Sequence, residues 1–332
     1  MQEDILVPRR SHVWRILVVG LAAVLFIALG GILWITSAPQ SNASPEQFVV
    51  GIQSTPEEVI AKLAEEGFAR NRPALKLSIV LLSGDLQPGG YEISRSMSVF
   101  SLARVFAKPP HLRWITIPEG LRKEEIAEIL AKELSWSDAQ KETWITKDTS
   151  QKQDYSEGVY FPDTYLIPED ATGEEVAARL IAKFEEVFAP YAKEALHQNI
   201  RWPTVLRVAS LVQREAAGQS DMPLIAGILW NRLLKEMKLD IDATVQYARG
   251  DKGEGFWAPI TVEDKRIDSP YNTYRFKGLP PHPIANPGES AIKAVLFPEK
   301  TDCFYYLHDT KGVIHCAKTY EEHQENIEKY LQ

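Results

Sequence analysis

Residues 16–35, ILVVGLAAVLFIALGGILWI, run for twenty positions without a charged residue or a proline, interrupted only by Gly20, Gly30 and Gly31. As a helix rising about 1.5 Å per residue, the run covers about 30 Å, the hydrocarbon thickness of a bilayer. Trp14 and Trp34 stand at its ends, where amphipathic rings settle. A cleaved secretion signal is the alternative, but its apolar core is shorter, about 7–15 residues, and ends at a small-x-small site. Thr36, Ser37 and Ala38 supply only a weak version of that site, so the run is read as an uncleaved span. Arg9, Arg10 and Arg15 precede it and the next basic residue is Lys62. The positive-inside bias therefore places residues 1–15 in the cytoplasm and everything after Thr36 outside.

The chain carries 37 basic and 45 acidic residues, a net charge of −8. That balance argues against nucleic acid as a partner, which demands a basic footprint. A neutral or polymeric substrate suits it better. Cys303 and Cys316 bracket an expected hairpin, CFYYLHDTKGVIHC, in a compartment that permits a disulfide. A bridge and two unpaired thiols both remain open, since cross-strand pairing would have to bring the two residues opposite each other. His308 and His315 lie in the same hairpin, but their spacing fits no standard zinc pattern, so no metal is expected.

Beyond the span, residues 36–45, TSAPQSNASP, read as a flexible small-polar linker. A mixed module comes next. FVVGI is a strand, Thr55-Pro56-Glu57-Glu58 opens a helix, LQPGGYEI turns into another strand, and Ser98 caps a second helix. WITIPEGLRKEEIAEILAKEL repeats the strand–turn–helix order, with Ile126, Ile129 and Leu130 on one helical side. Such units fit small binding modules and equally an α+β spacer. The character changes at about Ser156, where EGVYFPDTYLIP is too proline-broken for a regular helix. Mainly helical sequence continues to about Lys238, then loops, a short helix near residues 287–297, the hairpin and a terminal helix from Thr319. The expected domains are therefore 46–155 and 156–332, in an α+β chain.

In PTVLRVASLVQREAA, residues 203–217, Val205, Val208, Ala209, Val212 and Ala216 form one helical face, with Arg207, Ser210 and Arg214 on the other. Glu215 stands three residues after Val212 and four after Leu211, at the edge of the apolar stripe. A carboxylate there is paired, protonated or functional. Desolvation raises a glutamate's pKa, as a general acid working near neutral pH requires; a structural ion pair to the next helix is the competing reading. That next helix begins near Asp221 and embeds Asn231 in MPLIAGILWNRLL. LDIDATVQYARG then gathers Asp240, Asp242, Thr244, Gln246 and Tyr247 at a helix-to-loop junction. SPYNTYRFKGLPPHPIANPG adds Tyr271, Asn272, Thr273 and Tyr274 in a long irregular loop of the kind that binds sugars or peptides.

ITIPEGLRKEEIAEIL, EGVYFPDTY, ASLVQREAA, AGILWNRL, LDIDATVQY, YNTYRFKGLPPHPIANPGESAIKA and KTYEEHQENI together resemble the endolytic murein transglycosylases, the MltG or YceG-like family. The resemblance implies a single N-terminal transmembrane helix, a small LysM-like subdomain and a mainly helical lytic transglycosylase-type catalytic domain with a C-terminal β-hairpin. It implies a bacterial inner-membrane protein that cuts nascent peptidoglycan glycan strands internally, leaves 1,6-anhydroMurNAc ends and needs no cofactor. It also implies work beside membrane peptidoglycan synthases or the elongation and division machinery. The family's catalytic glutamate falls on Glu215. Sugar-binding roles are expected for Asn231, Asp242, Thr244, Gln246, Tyr271, Asn272, Thr273 and Tyr274. Gln213 stands where many relatives carry a second acid, EGVYFPDTY differs at two positions from the usual EGYLFPDTY, and Cys316 replaces a residue that is often aromatic. The alternatives are a hydrolytic muramidase with Asp240 or Asp242 as second carboxylate, and a non-enzymatic wall-binding scaffold.

Overall fold

The computed structural model describes residues 10–150 and 155–331, with side chains from Trp14 onward. Arg9, invoked above for orientation, lies outside the described residues. The chain divides into two compact units, 1–114 and 115–332.

The first unit begins with α1 (Arg10–Thr36), whose stretch Trp14–Thr36 is long and apolar enough to cross a membrane. Residues 36–45 were expected to be a flexible linker, yet they are held against the unit. Arg70 donates to Ala38 O and Pro39 O at 3.1 and 2.9 Å, Arg95 O accepts from Gln40 N at 3.0 Å, and Ala43 O accepts from Ser94 Oγ at 2.8 Å. The segment's exposed carbonyls find these donors, so its small-polar composition does not leave it free. Next come β1 (Glu46–Val50), α2 (Pro56–Glu65), α3 (Arg72–Leu82), β2 (Gly89–Ile93) and α4 (Val99–Phe106). α2 starts with the reciprocal cap read from its sequence: Thr55 Oγ1 accepts from Glu58 N, and Glu58 Oε2 accepts from Thr55 N at 2.8 Å. β1 and β2 pair antiparallel with Phe48 opposite Tyr91. Phe48, Tyr91, Phe106, Leu63, Ile79 and Leu102 fill this unit's own core.

β3 (Leu112–Thr116) carries the chain across the division. The second unit continues with α5 (Lys123–Leu134), α6 (Asp138–Thr143), a π-helical turn at Trp144–Asp148 and β4 (Thr164–Pro168). It then forms α7 (Gly173–His197), α8 (Trp202–Glu215), α9 (Met222–Leu234), α10 (Asp242–Arg249), α11 (Glu289–Leu296), the hairpin β5 (Tyr305–His308) and β6 (Ile314–Ala317), and α12 (Tyr320–Tyr330). The expected boundary at 155/156 falls inside one core. Ile117, Ile126, Leu130 and Trp144 share it with Tyr160, Leu180, Val208 and Ile292. Residues 115–155 thus belong with the second unit, because α5 buries its apolar face there and nowhere else.

α8 is buried on more sides than its stripe implied. Ser210, placed on the polar face from periodicity, is fully buried; its hydroxyl donates to Arg207 O and accepts from Ile284 N. The two cysteines form a disulfide with Cα atoms 5.9 Å apart, and among the described residues none is free. The ladder sets Cys316 opposite Tyr306, so Cys303 lies past the strand end and the bridge closes the base of the hairpin.

Candidate active site

Glu215 is the last residue of α8, and its backbone precedes a sharp turn into extended conformation at Ala216. Its carboxylate Oε2 accepts a 2.6 Å hydrogen bond from the hydroxyl of Tyr306 on β5. Burial pushes the Glu215 carboxyl above the usual glutamate range, and repulsion from Asp242 adds to that. The hydrogen bond from Tyr306 and the nearby His308 and Arg214 act the other way without reversing the direction. Its place at a helix C-terminus, the negative end of the backbone dipole, works in the same direction as burial. Tyr306 itself is raised well above 10, first by burial and then by the Glu215 charge, so its proton stays on and it remains a donor.

α9 and the residues around the hairpin hold this pair. α9 supplies Asn231, whose amide donates to Thr301 O and Cys303 O at 2.8 and 3.1 Å, and Arg232, which donates to Phe304 O and Leu239 O at 2.5 and 2.6 Å. Both therefore grip the base of the hairpin that presents Tyr306. Gly227 lets α9 approach the segment that leads into the hairpin: a Cβ there would collide with the carbonyl of Glu299. His308, two residues from Tyr306 on the same strand, binds Asp221 Oδ2 at 3.0 Å. Burial alone would raise Asp221, but hydrogen bonds from Ser220, His308 and Ala217 N outweigh it and lower the carboxyl. Asp221 is thus an anchor for the hairpin. His315 is bound to Asp309 at 3.1 Å and stacks on Tyr330.

Of the residues expected to hold sugar, Asp242 and Tyr274 gather near Glu215. Asp242 is exposed at the first turn of α10, and Tyr274 donates to its Oδ1 at 2.5 Å while Lys265 lies over the Tyr274 ring. The others are otherwise engaged. Thr244 and Thr273 are buried and bonded to each other at 2.9 Å, and Thr273 Oγ1 accepts from Ile241 N. Asn272 is buried too, donating to Lys265 O and Ile267 O and accepting from Tyr274 N. These three fix the loop that aims Tyr274 and do not face a cleft; polar residues in an irregular loop satisfy its backbone first. Gln246 holds the backbone of Trp257 and Ala258 at 2.8 and 3.1 Å, and Tyr271 packs against Tyr247 with ring centroids 4.7 Å apart and planes tilted by 40°.

The sequence reading missed Tyr306 altogether, along with a cluster on the far side of Arg214. There the Arg214 guanidinium lies 3.8 Å from the centre of the Trp257 ring, whose indole donates to Glu125 Oε2 at 2.8 Å. Arg122 sits over Tyr247 and Phe256. Glu157 is buried beside Asn286, whose amide donates to Glu157 Oε1 at 2.6 Å and to Leu121 O at 3.0 Å. Burial, then the Glu124 charge, push the Glu157 carboxyl up to about 8. The only sequence signal for Glu157 was its place in EGVYFPDTY. Its neighbour Gly158 has φ 86 and lies where a Cβ would be 2.7 Å from Pro283, so the turn takes only glycine.

Residues 48–329 match the YceG-like family. The chain is 31% identical over 282 residues to the endolytic murein transglycosylase of Streptococcus pneumoniae, covering 74% of this chain and 51% of that protein. It is 32% identical over 267 residues to the one from Bacillus subtilis, covering 74% and 73%. The chain thus spans about half the length of the streptococcal relatives it matches. The crystal structure of a putative YceG-like protein from Listeria monocytogenes superposes with a TM-score of 0.57 at 28% identity, covering 85% of this chain and 99% of that one. A match over residues 48–329, with relatives above 30% identity and a shared fold, places this chain in the YceG-like family.

Proposed function

We propose that the chain is a membrane-anchored endolytic lytic transglycosylase acting on peptidoglycan glycan strands, with Glu215 as its acid and base. The observation that carries this reading is a buried glutamate with a raised pKa, held by the Tyr306 hydroxyl at 2.6 Å. A glutamate whose hold on its proton is strengthened by burial donates it to the glycosidic oxygen as the bond from C1 of N-acetylmuramic acid breaks. The same sugar's 6-hydroxyl then attacks C1 and passes its proton to the Glu215 carboxylate. The acid is regenerated, no water is consumed and a 1,6-anhydro end forms. Tyr306 occupies Oε2 and leaves Oε1 to meet the glycosidic oxygen. One carboxyl thus serves twice where ordinary glycosidases use two.

Asp242 and Tyr274 are read as sugar-facing groups at this site. Asn231, Thr244, Gln246, Asn272 and Thr273 support it, and Tyr271 contributes through its tilted ring contact with Tyr247. The first unit is read as LysM-like. α1 is read as a single span of the bacterial cytoplasmic membrane with the N-terminus inside, which brings the second unit close to newly made strands and to the synthases that make them.

Mass spectrometry of products from peptidoglycan strands treated with the full-length protein tests the reaction. Anhydromuramyl ends are expected, and Glu215→Gln should lower their formation by at least about 100-fold, the scale of a lost general acid. The proximity of Asp242 to Glu215 keeps a hydrolytic muramidase as the second reading. Reducing ends, lost in Asp242→Asn, would establish that reading and sink the transglycosylase.

A further inference from the structure

α3 is apolar on two opposite sides. Leu75 and Ile79 enter the core of the first unit, while Leu77, Val80 and Leu81 point outward and are 60%, 63% and 69% exposed. The outward three recur at helical spacing and form one strip, continued by the part-exposed Leu82. Arg72 and Lys76 lie at the start of the same helix, Lys76 paired with Glu57 Oε1 at 3.0 Å. A strip of large aliphatics left in the open marks a contact surface.

The position at which α3 begins identifies its cover. Arg70, just before the helix, donates to Ala38 O and Pro39 O, and its guanidinium lies 5.3 Å from the centre of the Trp34 ring near the end of α1. α1 and α3 lie in contact, and the chain between α1 and β1 is fastened by Arg95 and Ser94. The helix that carries the strip therefore begins beside the point where α1 leaves its long apolar stretch, and lies in contact with α1. The surface continuous with a membrane-spanning helix at that level is the lipid boundary itself.

We propose that Leu77, Val80 and Leu81 insert into the bilayer leaflet at the C-terminal end of α1. α3 then lies in the interface plane, its aliphatic strip among acyl chains and Arg70, Arg72 and Lys76 at the level of the phosphates. The first unit is held to the membrane at two places, by a span and by a helix lying flat. This rests on the reading of α1 as an uncleaved span.

The test uses the full chain, with its native disulfide intact, reconstituted in phosphatidylcholine–phosphatidylglycerol vesicles. Leu77→Cys, Val80→Cys and Leu81→Cys are each nitroxide-labelled, with Glu65→Cys as a water reference and Leu25→Cys as a mid-span reference. The expected result is several-fold less collision with a water-soluble nickel chelate at 77, 80 and 81 than at 65, with more collision with oxygen. Labels at 77, 80 and 81 as open to nickel as position 65, while Leu25→Cys reports lipid, would overturn the proposal and make the strip a site for protein. If Leu25→Cys also reports water, the span itself fails and the proposal with it.

Discussion

At the scale of the residue, one hydrogen bond moderates how burial makes Glu215 titrate. Tyr306 donates to the carboxylate and so favours the charged form, opposing the burial that favours the neutral one. Activity that needs the protonated acid is lost as pH rises through the Glu215 pKa. Removing the donor should raise that pKa further. Tyr306→Phe is therefore expected to move the alkaline limb of the pH–rate profile upward by about one to two units, since a hydrogen bond to a charged group contributes roughly 1.5–3 kcal/mol. An unmoved limb, measured as kcat/KM against pH, would mean the bond is merely structural. Glu215 was legible in the sequence because a carboxylate at the edge of an apolar stripe is a local anomaly. Tyr306 was not, because 91 residues separate it from its partner. Nothing in CFYYLHDTKGVIHC says which of its aromatics will meet α8.

At the scale of the element, the hairpin β5–β6 is the part that brings the second half of the site to the first. It is only four residues per strand, and two short strands alone are marginal in water. The Cys303–Cys316 bridge, the grip of Asn231 and Arg232 and the His308–Asp221 pair supply what the ladder lacks. Closing a loop of this length by a disulfide contributes on the order of 3 kcal/mol. The double variant Cys303→Ser, Cys316→Ser should therefore lose hydrogen-exchange protection in β5 and β6, with a fall in kcat, while α7 and α8 stay protected. Full protection and full activity in that variant would show that the α9 contacts suffice. Helices announced by a cap, such as α2 and α12, or by a stripe, such as α8, were readable from the sequence. α3 was not, because RPALKLSIVLL is apolar on both sides and offers no single stripe to follow.

At the scale of the whole molecule, the division at Trp114 came from packing that no local pattern announces. The change of composition near Ser156 is real, but α5 and the π-helical turn lie in the same core as the helices beyond it. Within that core the buried Glu157 makes global stability depend on pH. Its pKa is about 8 folded against 4.5 in the ordinary state. Between those values the folded chain keeps a proton that the unfolded chain releases, so stability falls as pH rises through the window, by about 1.4 kcal/mol per unit. Glu157→Gln is expected to flatten the melting temperature between pH 5 and pH 8, as read by calorimetry. Curves for the two proteins that stay parallel would show that Glu157 is ionised in the fold.

On the proposed reading of α1 as a span, the fastening of residues 36–45 couples that span to the first unit. The apolar stretch Trp14–Thr36 is 23 residues long. Its charge-free part, residues 16–35, matches a hydrocarbon core of about 30 Å at about 1.5 Å per residue, and in a thinner bilayer a span of that length leans over. A slack leash would absorb that lean. Clamped by Arg70 and Arg95, the chain above the span behaves as a stiff mast, and the first unit leans with it. On the reading of α1 as a span, local bilayer thickness and the seat of α3 in the interface therefore act together on the first unit.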